Sequence, residues 1–375
     1  MKAAVIVLSA LFVAGVAPPA RAQFGALGKI KKTADTAADA KKKYDDWNIT
    51  DDEERQLGEQ VSARLRQRFG VVQDPELTKY VSLVGSVVAQ QSSRPGLKWQ
   101  FIVLDTDGVN AYAAPGGFVH VTRGLLGLIK NEAELAGVLG HEVTHVTRKH
   151  TVDAIKRGKE LDMGAAATGK GGGLTREFIA KLADKAFQRI FEGAYSRGDE
   201  NEADAGGVQI ASKSGYDPHG LATALEKVDA RNASNTEHNG WFSSHPDTKD
   251  RISRVNRQIA SEKLGGKALV AARYKQHVTF DAKPLSEISA SEAGAAGLAS
   301  GEKKKDESKK DEPKKKGGLG GMLGGGKQQA SAQQTASAGA RGVGKDTYAT
   351  GGSNPTIVAV RVTPEDITAF KKGIV

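Results

Sequence analysis

Apolar positions recur at helical spacing along the first three-quarters of the chain. After Thr50-Asp51-Asp52-Glu53, a capping-box start, Leu57, Val61, Leu65 and Phe69 follow at i+4 intervals and give a helix one apolar face. Leu77 to Val88 predicts a second helix, and Trp99 to Leu104 a strand that turns at Asp105-Thr106-Asp107-Gly108. A further strand is predicted over Gly116 to Val121, entered through Pro115-Gly116-Gly117. A long helix is predicted from about Glu132 to Arg157, with Asn131 as its N-cap and Glu134 three residues on. Helical patterns follow at about 174–194, 199–213, 218–230 and 247–262, and Val270 to Phe280 reads as a last strand. The pattern over 50–280 is that of one α+β domain, mostly α-helical, with a small sheet.

Outside that range the pattern fails, in two different ways. Residues 1–22 carry Lys2, an apolar run from Ala3 to Val16 and Ala20-Arg21-Ala22, the layout of an export signal cut before Gln23. The apolar run is too short to span a bilayer, which takes roughly 20 residues. The mature protein is therefore expected to be exported, soluble and periplasmic, with no membrane-spanning segment. Residues 23–49 are rich in Ala, Lys and Asp and read as a tether. Residues 281–352 read as a low-complexity linker, with EKKKDESKKDEPKKK at 302–316 and a glycine-rich run after it. Pattern returns at 353–375, where Thr356 to Val362 alternates like a strand and Thr363-Pro364-Glu365-Asp366 opens a short helix.

Charge and cysteine content narrow the chemistry. The formal net charge is +10, but residues 44–280 sum to zero and the excess lies in the tails. The charge therefore gives no reason to read the predicted domain as a nucleic-acid binder, and no nucleic-acid motif is present. The basic flanks suit peripheral contact with an anionic membrane surface. The chain has no cysteine, so thiolate metal sites, a cysteine nucleophile and an N-terminal lipoprotein anchor are excluded.

The long helix contains His141-Glu142-Val143-Thr144-His145. Positions i and i+4 share a helix face, so both imidazoles can bind one Zn²⁺, with Glu142 beside the metal water as its base. Chance yields on the order of 0.01 such matches in a chain of this composition. Two histidines do not close a catalytic zinc site; a third protein ligand is needed. Glu200-Asn201-Glu202-Ala203-Asp204 lies 55 residues after His145 within a predicted helix. Glu200 and Asp204 share a face, which lets Glu200 ligate while Asp204 accepts the free N–H of a ligand histidine. Glu202 lies on another face.

These segments, with Ser196-Arg197-Gly198-Asp199 before Glu200, resemble the gluzincin peptidase family of HtpX and the CAAX prenyl endopeptidases, whose pattern is HExxH followed by SRxxExxAD. Asn110-Ala111-Tyr112-Ala113-Ala114-Pro115-Gly116-Gly117, Val121-Thr122-Arg123-Gly124-Leu125, Gly215-Tyr216-Asp217-Pro218 and Ser244-His245-Pro246 with Arg251-Ile252 fit as well, in order, over about 50–280. The resemblance is strongest to the exported bacterial branch and implies a zincin-like metalloendopeptidase fold and a role in outer-membrane protein quality control. The chain lacks the membrane-spanning helices of HtpX, and its C-terminus shows no 34-residue repeat.

The resemblance places His245 near the metal, where it either stabilises the oxyanion of the reaction or occupies the open metal position as a latch. Arg251 is expected to orient the site's carboxylates or to sit on a helix surface. Asn110, Ala111, Tyr112, Gly116 and Gly117 belong to the expected substrate-binding edge, since zinc peptidases commonly take an extended peptide as an added strand. Tyr112 and Tyr195 are read as core residues with hydroxyls that can reach the oxyanion. His150, at i+5 from His145, falls off the ligand stripe and is read as structural. The Gly164–Gly173 loop is either a lid or a mobile connection. The expected function is cleavage of misfolded or unassembled envelope proteins, with outer-membrane assembly machinery as a possible partner. The alternative is a periplasmic chaperone or assembly factor with gated protease activity.

Overall fold

The computed structural model describes residues 49–158, 173–191, 195–232, 245, 248–288 and 354–374. The expected export signal, the tether up to residue 48, the linker at 289–352 and the Gly164–Gly173 loop up to residue 172 lie outside the described residues.

Helix α1 (Asp51–Phe69) begins at Thr50, whose hydroxyl accepts the Glu53 N–H while the Glu53 carboxylate accepts the Thr50 N–H. Its expected stripe Leu57, Val61, Leu65 and Phe69 is fully buried. Helix α2 (Pro75–Ala89) is capped by Asp74 and has Pro at its first position. The chain then forms β1 (Gln100–Leu104), β2 (Ala111–Ala114), a 3₁₀ turn over Pro115–Gly117, and β3 (Phe118–Thr122). β3 is central in the order β1-β3-β2, parallel to β1 and antiparallel to β2, with Ile102 and Tyr112 both opposite His120. Gly116 has φ of 70°, a conformation that suits glycine, and its N–H donates to the buried Glu54.

Helices α3 (Arg123–Leu128), α4 (Glu132–Thr147), α5 (His150–Gly158), α6 (Arg176–Phe191), α7 (Arg197–Lys213), α8 (Gly220–Asn232), α9 (Thr248–Glu262) and α10 (Ala271–His277) follow, and α11 (Pro364–Lys371) lies near the C-terminus. The architecture is mostly helical α+β with one small sheet. Every residue of α4 from Glu132 to Val146 is buried, so this helix is the centre of the domain, between the sheet and helices α7 and α8. Its N-cap is Asn131, as expected, and Lys227 adds an ion pair to Glu134 in the first turn.

Glu132 is buried and accepts from Tyr80 Oη at 3.1 Å, Tyr216 Oη at 3.0 Å and the Arg273 guanidinium at 2.5 and 2.6 Å. The same guanidinium stacks over the Phe370 ring, and Ile374 is buried. The C-terminal segment is thereby tied to the start of the central helix.

Three expectations change. The predicted 132–157 helix breaks after Thr147, where Lys149 takes a left-handed φ of 55° and the chain restarts as α5. The strand expected at 270–280 is instead helix α10, because Tyr274 must reach the Leu126 carbonyl and Arg273 must reach Glu132. Residues 356–362, expected to alternate as a strand, form no strand and join no sheet among the described residues.

The crossing of α4 over α7 sets up the site. A Cβ on Gly207 would sit 2.8 Å from the His141 nitrogen, and one on Gly140 would sit 2.8 Å from the Gly207 carbonyl oxygen. Only glycine at both positions lets the two backbones come this close.

Candidate metal centre

The close crossing brings the histidine face of α4 against the carboxylate face of α7. His141 and His145 come from α4, Glu200 from the first turn of α7, and His245 from just before α9. One ligand atom from each of these four buried residues falls within 4.8 Å of all the others. His141 Nε2 lies 3.0 Å from His145 Nε2 and 3.3 Å from His245 Nδ1; Glu200 Oε1 lies 2.9 Å from His245 Nδ1 and 3.5 Å from His145 Nε2. A tetrahedron with bonds of about 2.0–2.1 Å has edges of about 3.3–3.4 Å, and these four separations lie within about half an ångström of that.

The outer atoms of these residues fix the ring orientations. His141 Nδ1 lies 3.0 Å from Asp204 Oδ1, and Arg251 clamps the same carboxylate in a fork of 2.7 and 2.9 Å. An ionised carboxylate only accepts, so His141 carries its proton on Nδ1 and turns the Nε2 lone pair to the centre. Arg251 is fully buried, reaches Glu200 Oε2 at 3.0 Å and donates to the His245 carbonyl. It is an internal cation, not a helix-surface residue.

Burial, only partly offset by Asp204, lowers the His141 pKa to about 4, and burial likewise holds His145 well below the ordinary range. Both imidazoles are therefore neutral at pH 7, the form that ligates a metal. Burial raises the Glu200 carboxyl, but His245 and Arg251 outweigh it and hold the group well below the usual carboxylate range. Asp204 is depressed in the same way, with burial opposed by Arg251. Glu142 behaves differently: burial lifts its pKa to about 7. Both of its carboxylate oxygens are buried without a hydrogen-bond partner among the described residues, and His245 Nε2 lies 3.7 Å from Oε1. A buried, unpartnered carboxylate beside a ligand set is poised to take a proton.

The expected substrate edge is inside the domain. β2 is an edge strand, but α6 packs over it. The Tyr112 ring stacks on Phe69 at 6.0 Å and lies 6.4 Å from Phe191. Asn110 Oδ1 accepts its neighbour Ala111's N–H, and the Gly116–Gly117 turn makes its close approach to the α1 backbone at Arg55, not to a cleft. The space between β2 and the end of α4, lined by Ala113, Ala114, Pro115 and His145, is about 10 Å³, room for about one water. The Tyr195 ring closes the face of His145 at 4.1 Å, with its hydroxyl 2.9 Å from Thr151 Oγ1.

His150 and Glu202, read from sequence as lying off the ligand face, form a chain behind His145. His150 Nδ1 lies 2.9 Å from His145 Nδ1, and His150 Nε2 lies 3.1 Å from Glu202 Oε2. The positive φ at Lys149 produces the first contact, and no helical periodicity reports such a break.

Residues 75–259 match the family described as Peptidase family M48. The chain is 28% identical to the Beta-barrel assembly-enhancing protease of Escherichia coli (strain K12) over 186 residues, 47% of this chain and 37% of that protein. It is 31% identical to Metalloprotease YcaL of the same organism over 172 residues, 45% of this chain and 65% of YcaL. It is 27% identical to Mitochondrial metalloendopeptidase OMA1 of Schizosaccharomyces pombe over 222 residues, 57% and 63% of the two chains. The chain thus spans little more than a third of the length of the first of these relatives and under two-thirds of the others. With the HExxH helix and its facing carboxylates in place, residues 75–259 are a Peptidase family M48 domain.

Proposed function

We propose that this protein is a zinc-dependent metalloendopeptidase of the bacterial envelope that cleaves misfolded or unassembled polypeptides. The observation that carries the reading is the convergence of His141, His145, Glu200 and His245 within 4.8 Å beside the unpartnered carboxylate of Glu142. Neutral imidazoles with one carboxylate are a donor set suited to zinc. When bound, zinc supplies Lewis acidity, which brings the pKa of a coordinated water toward neutrality and polarises a carbonyl.

The chain's own residues do the rest. Glu142 takes the proton of the attacking water and returns it to the leaving amine nitrogen. Asp204, held by Arg251, keeps His141 in the tautomer that ligates. The outer edge of β2, buried under α6, is the template for an extended peptide once the covering elements move aside. Export rests on the signal pattern at 1–22, and no described helix is long and apolar enough to cross a membrane. The envelope substrate class rests on that pattern and on the similarity to a relative named for β-barrel assembly.

His245 supports a gated form of the enzyme. Its Nδ1 stands at a corner of the ligand set, where a substrate carbonyl would enter, so the latch reading fits its position better than the oxyanion reading. The same latch is what the second reading requires, an assembly factor whose protease stays shut until a partner opens it. The test is cleavage of unfolded casein, with bound zinc measured on the same samples. Glu142→Gln keeps zinc and loses cleavage, whereas full cleavage by that variant refutes the mechanism. His245→Ala raises cleavage if it is a latch and abolishes it if it acts on the intermediate.

A further inference from the structure

We propose that His150 and Glu202 are positioning residues that orient the metal ligand His145, forming a second arm that matches the Asp204–Arg251 arm behind His141. This rests on the metal reading above and deepens it.

Donor and acceptor logic links the arm to ligation. Glu202 accepts, so His150 donates from Nε2, 3.1 Å from Glu202 Oε2. To ligate through Nε2, His145 must carry its proton on Nδ1, and His150 Nδ1, 2.9 Å away, is placed to accept it. Arg148 Nε, 3.0 Å from Glu202 Oε1, holds the outer carboxylate in place.

On an unbroken helix, i+5 would turn His150 away from His145. The left-handed residue Lys149 ends α4, and the restart at α5 folds the His150 ring back to 4.9 Å from the His145 ring, nearly edge-on at 79°. The next residue, Thr151, meets the Tyr195 hydroxyl, and the Tyr195 ring lies against the face of His145. The first two residues of α5 therefore fix His145 from its edge and, through Tyr195, from its face. The two arms differ in exposure: Asp204 is buried, whereas the Glu202 side chain is 46% exposed. The inner link, His150, is accordingly the stronger part of the second arm.

The test measures cobalt(II) and zinc dissociation constants on the full chain by chelator competition, together with the visible spectrum of the cobalt form. His150→Leu is expected to weaken metal binding about 10- to 100-fold, the usual effect of losing such a partner, and to alter the cobalt band. Glu202→Ala is expected to weaken binding less than about 10-fold, in the same direction. His150→Gln restores an acceptor for His145 and recovers part of the loss. Wild-type affinity and an unchanged cobalt band in folded His150→Leu overturn the proposal. If His150→Leu does not fold, Glu202→Ala decides, and unchanged affinity there overturns it. A wild-type chain that binds neither ion refutes the metal reading itself, a distinct outcome.

Discussion

Arg251→Met offers a sharp test of how the site is built. The guanidinium is fully buried and forms a fork on Asp204 with a third contact to Glu200. Burial lowers the guanidinium pKa, but the adjacent Asp204 and Glu200 charges raise it further, so it stays charged. Methionine fills similar space without charge and leaves two carboxylates, each at most 4% exposed, facing one another without a cation. Breaking a buried pair by removing one partner costs about 3–5 kcal/mol. In a domain of this size each kcal/mol moves the melting temperature by about 2–4 °C, so a fall of about 6–20 °C is expected.

The assay is thermal unfolding by circular dichroism in chelator, so that metal binding does not enter the comparison. A double-mutant cycle isolates the cause. Asp204→Asn still accepts from His141 but removes one stranded charge, so Arg251→Met with Asp204→Asn should cost less than the two changes summed. The expected coupling is about 1.5–3 kcal/mol. Additivity, or an Arg251→Met melt within about 2 °C of wild type, would refute the argument that Arg251 neutralises the interior of the site.

Three more outcomes follow from the same structure. Burial holds the pKa of His120 down to about 3, against an ordinary value near 6.5. The unfolded chain thus binds the extra proton first, and stability is lost as pH falls below about 6.5, with a slope of up to about 1.4 kcal/mol per pH unit from this group; His120→Gln should flatten urea midpoints measured between pH 6.5 and 4. A chain ending at residue 353 loses buried Ile374 and the Phe370 stack on Arg273, so it should be destabilised by about 2–4 kcal/mol in urea, and an unchanged midpoint would contradict the described docking. Gly207→Ala puts a methyl 2.8 Å from the His141 backbone nitrogen, and by overpacking should cost about 1–3 kcal/mol and weaken zinc binding as α7 is pushed from α4.

What the sequence made legible was whatever one element shows by itself. The caps of α1 and α4 sit where Thr50 and Asn131 predicted them, and the i, i+4 pairs His141/His145 and Glu200/Asp204 lie on single faces as drawn. The unread parts all depend on the chain meeting itself or changing direction. Arg251 looked as much like a surface residue as a buried one, because a lone arginine in a helix carries no sign of the carboxylates it will face. The stretch 270–280 alternates well enough for a strand, yet folds as a helix because Arg273 and Tyr274 find partners on α4 and α3. His150 was set aside on helical geometry that does not hold at its position.

The site depends on a relation between elements that neither motif contains. HExxH sets the imidazoles on one face, and ExxxD sets the carboxylates on another. Whether those faces meet at ligand distance depends on how closely α4 and α7 cross. Side-chain contacts at an ordinary helix crossing hold axes about 8–10 Å apart. Gly140 and Gly207 remove the side chains at the contact, so the backbones themselves touch. Each glycine looks unremarkable in its own helix, where it costs about 1 kcal/mol against alanine. That local cost makes sense only beside the facing glycine, and the pair is as much a part of the candidate site as the residues that point into it.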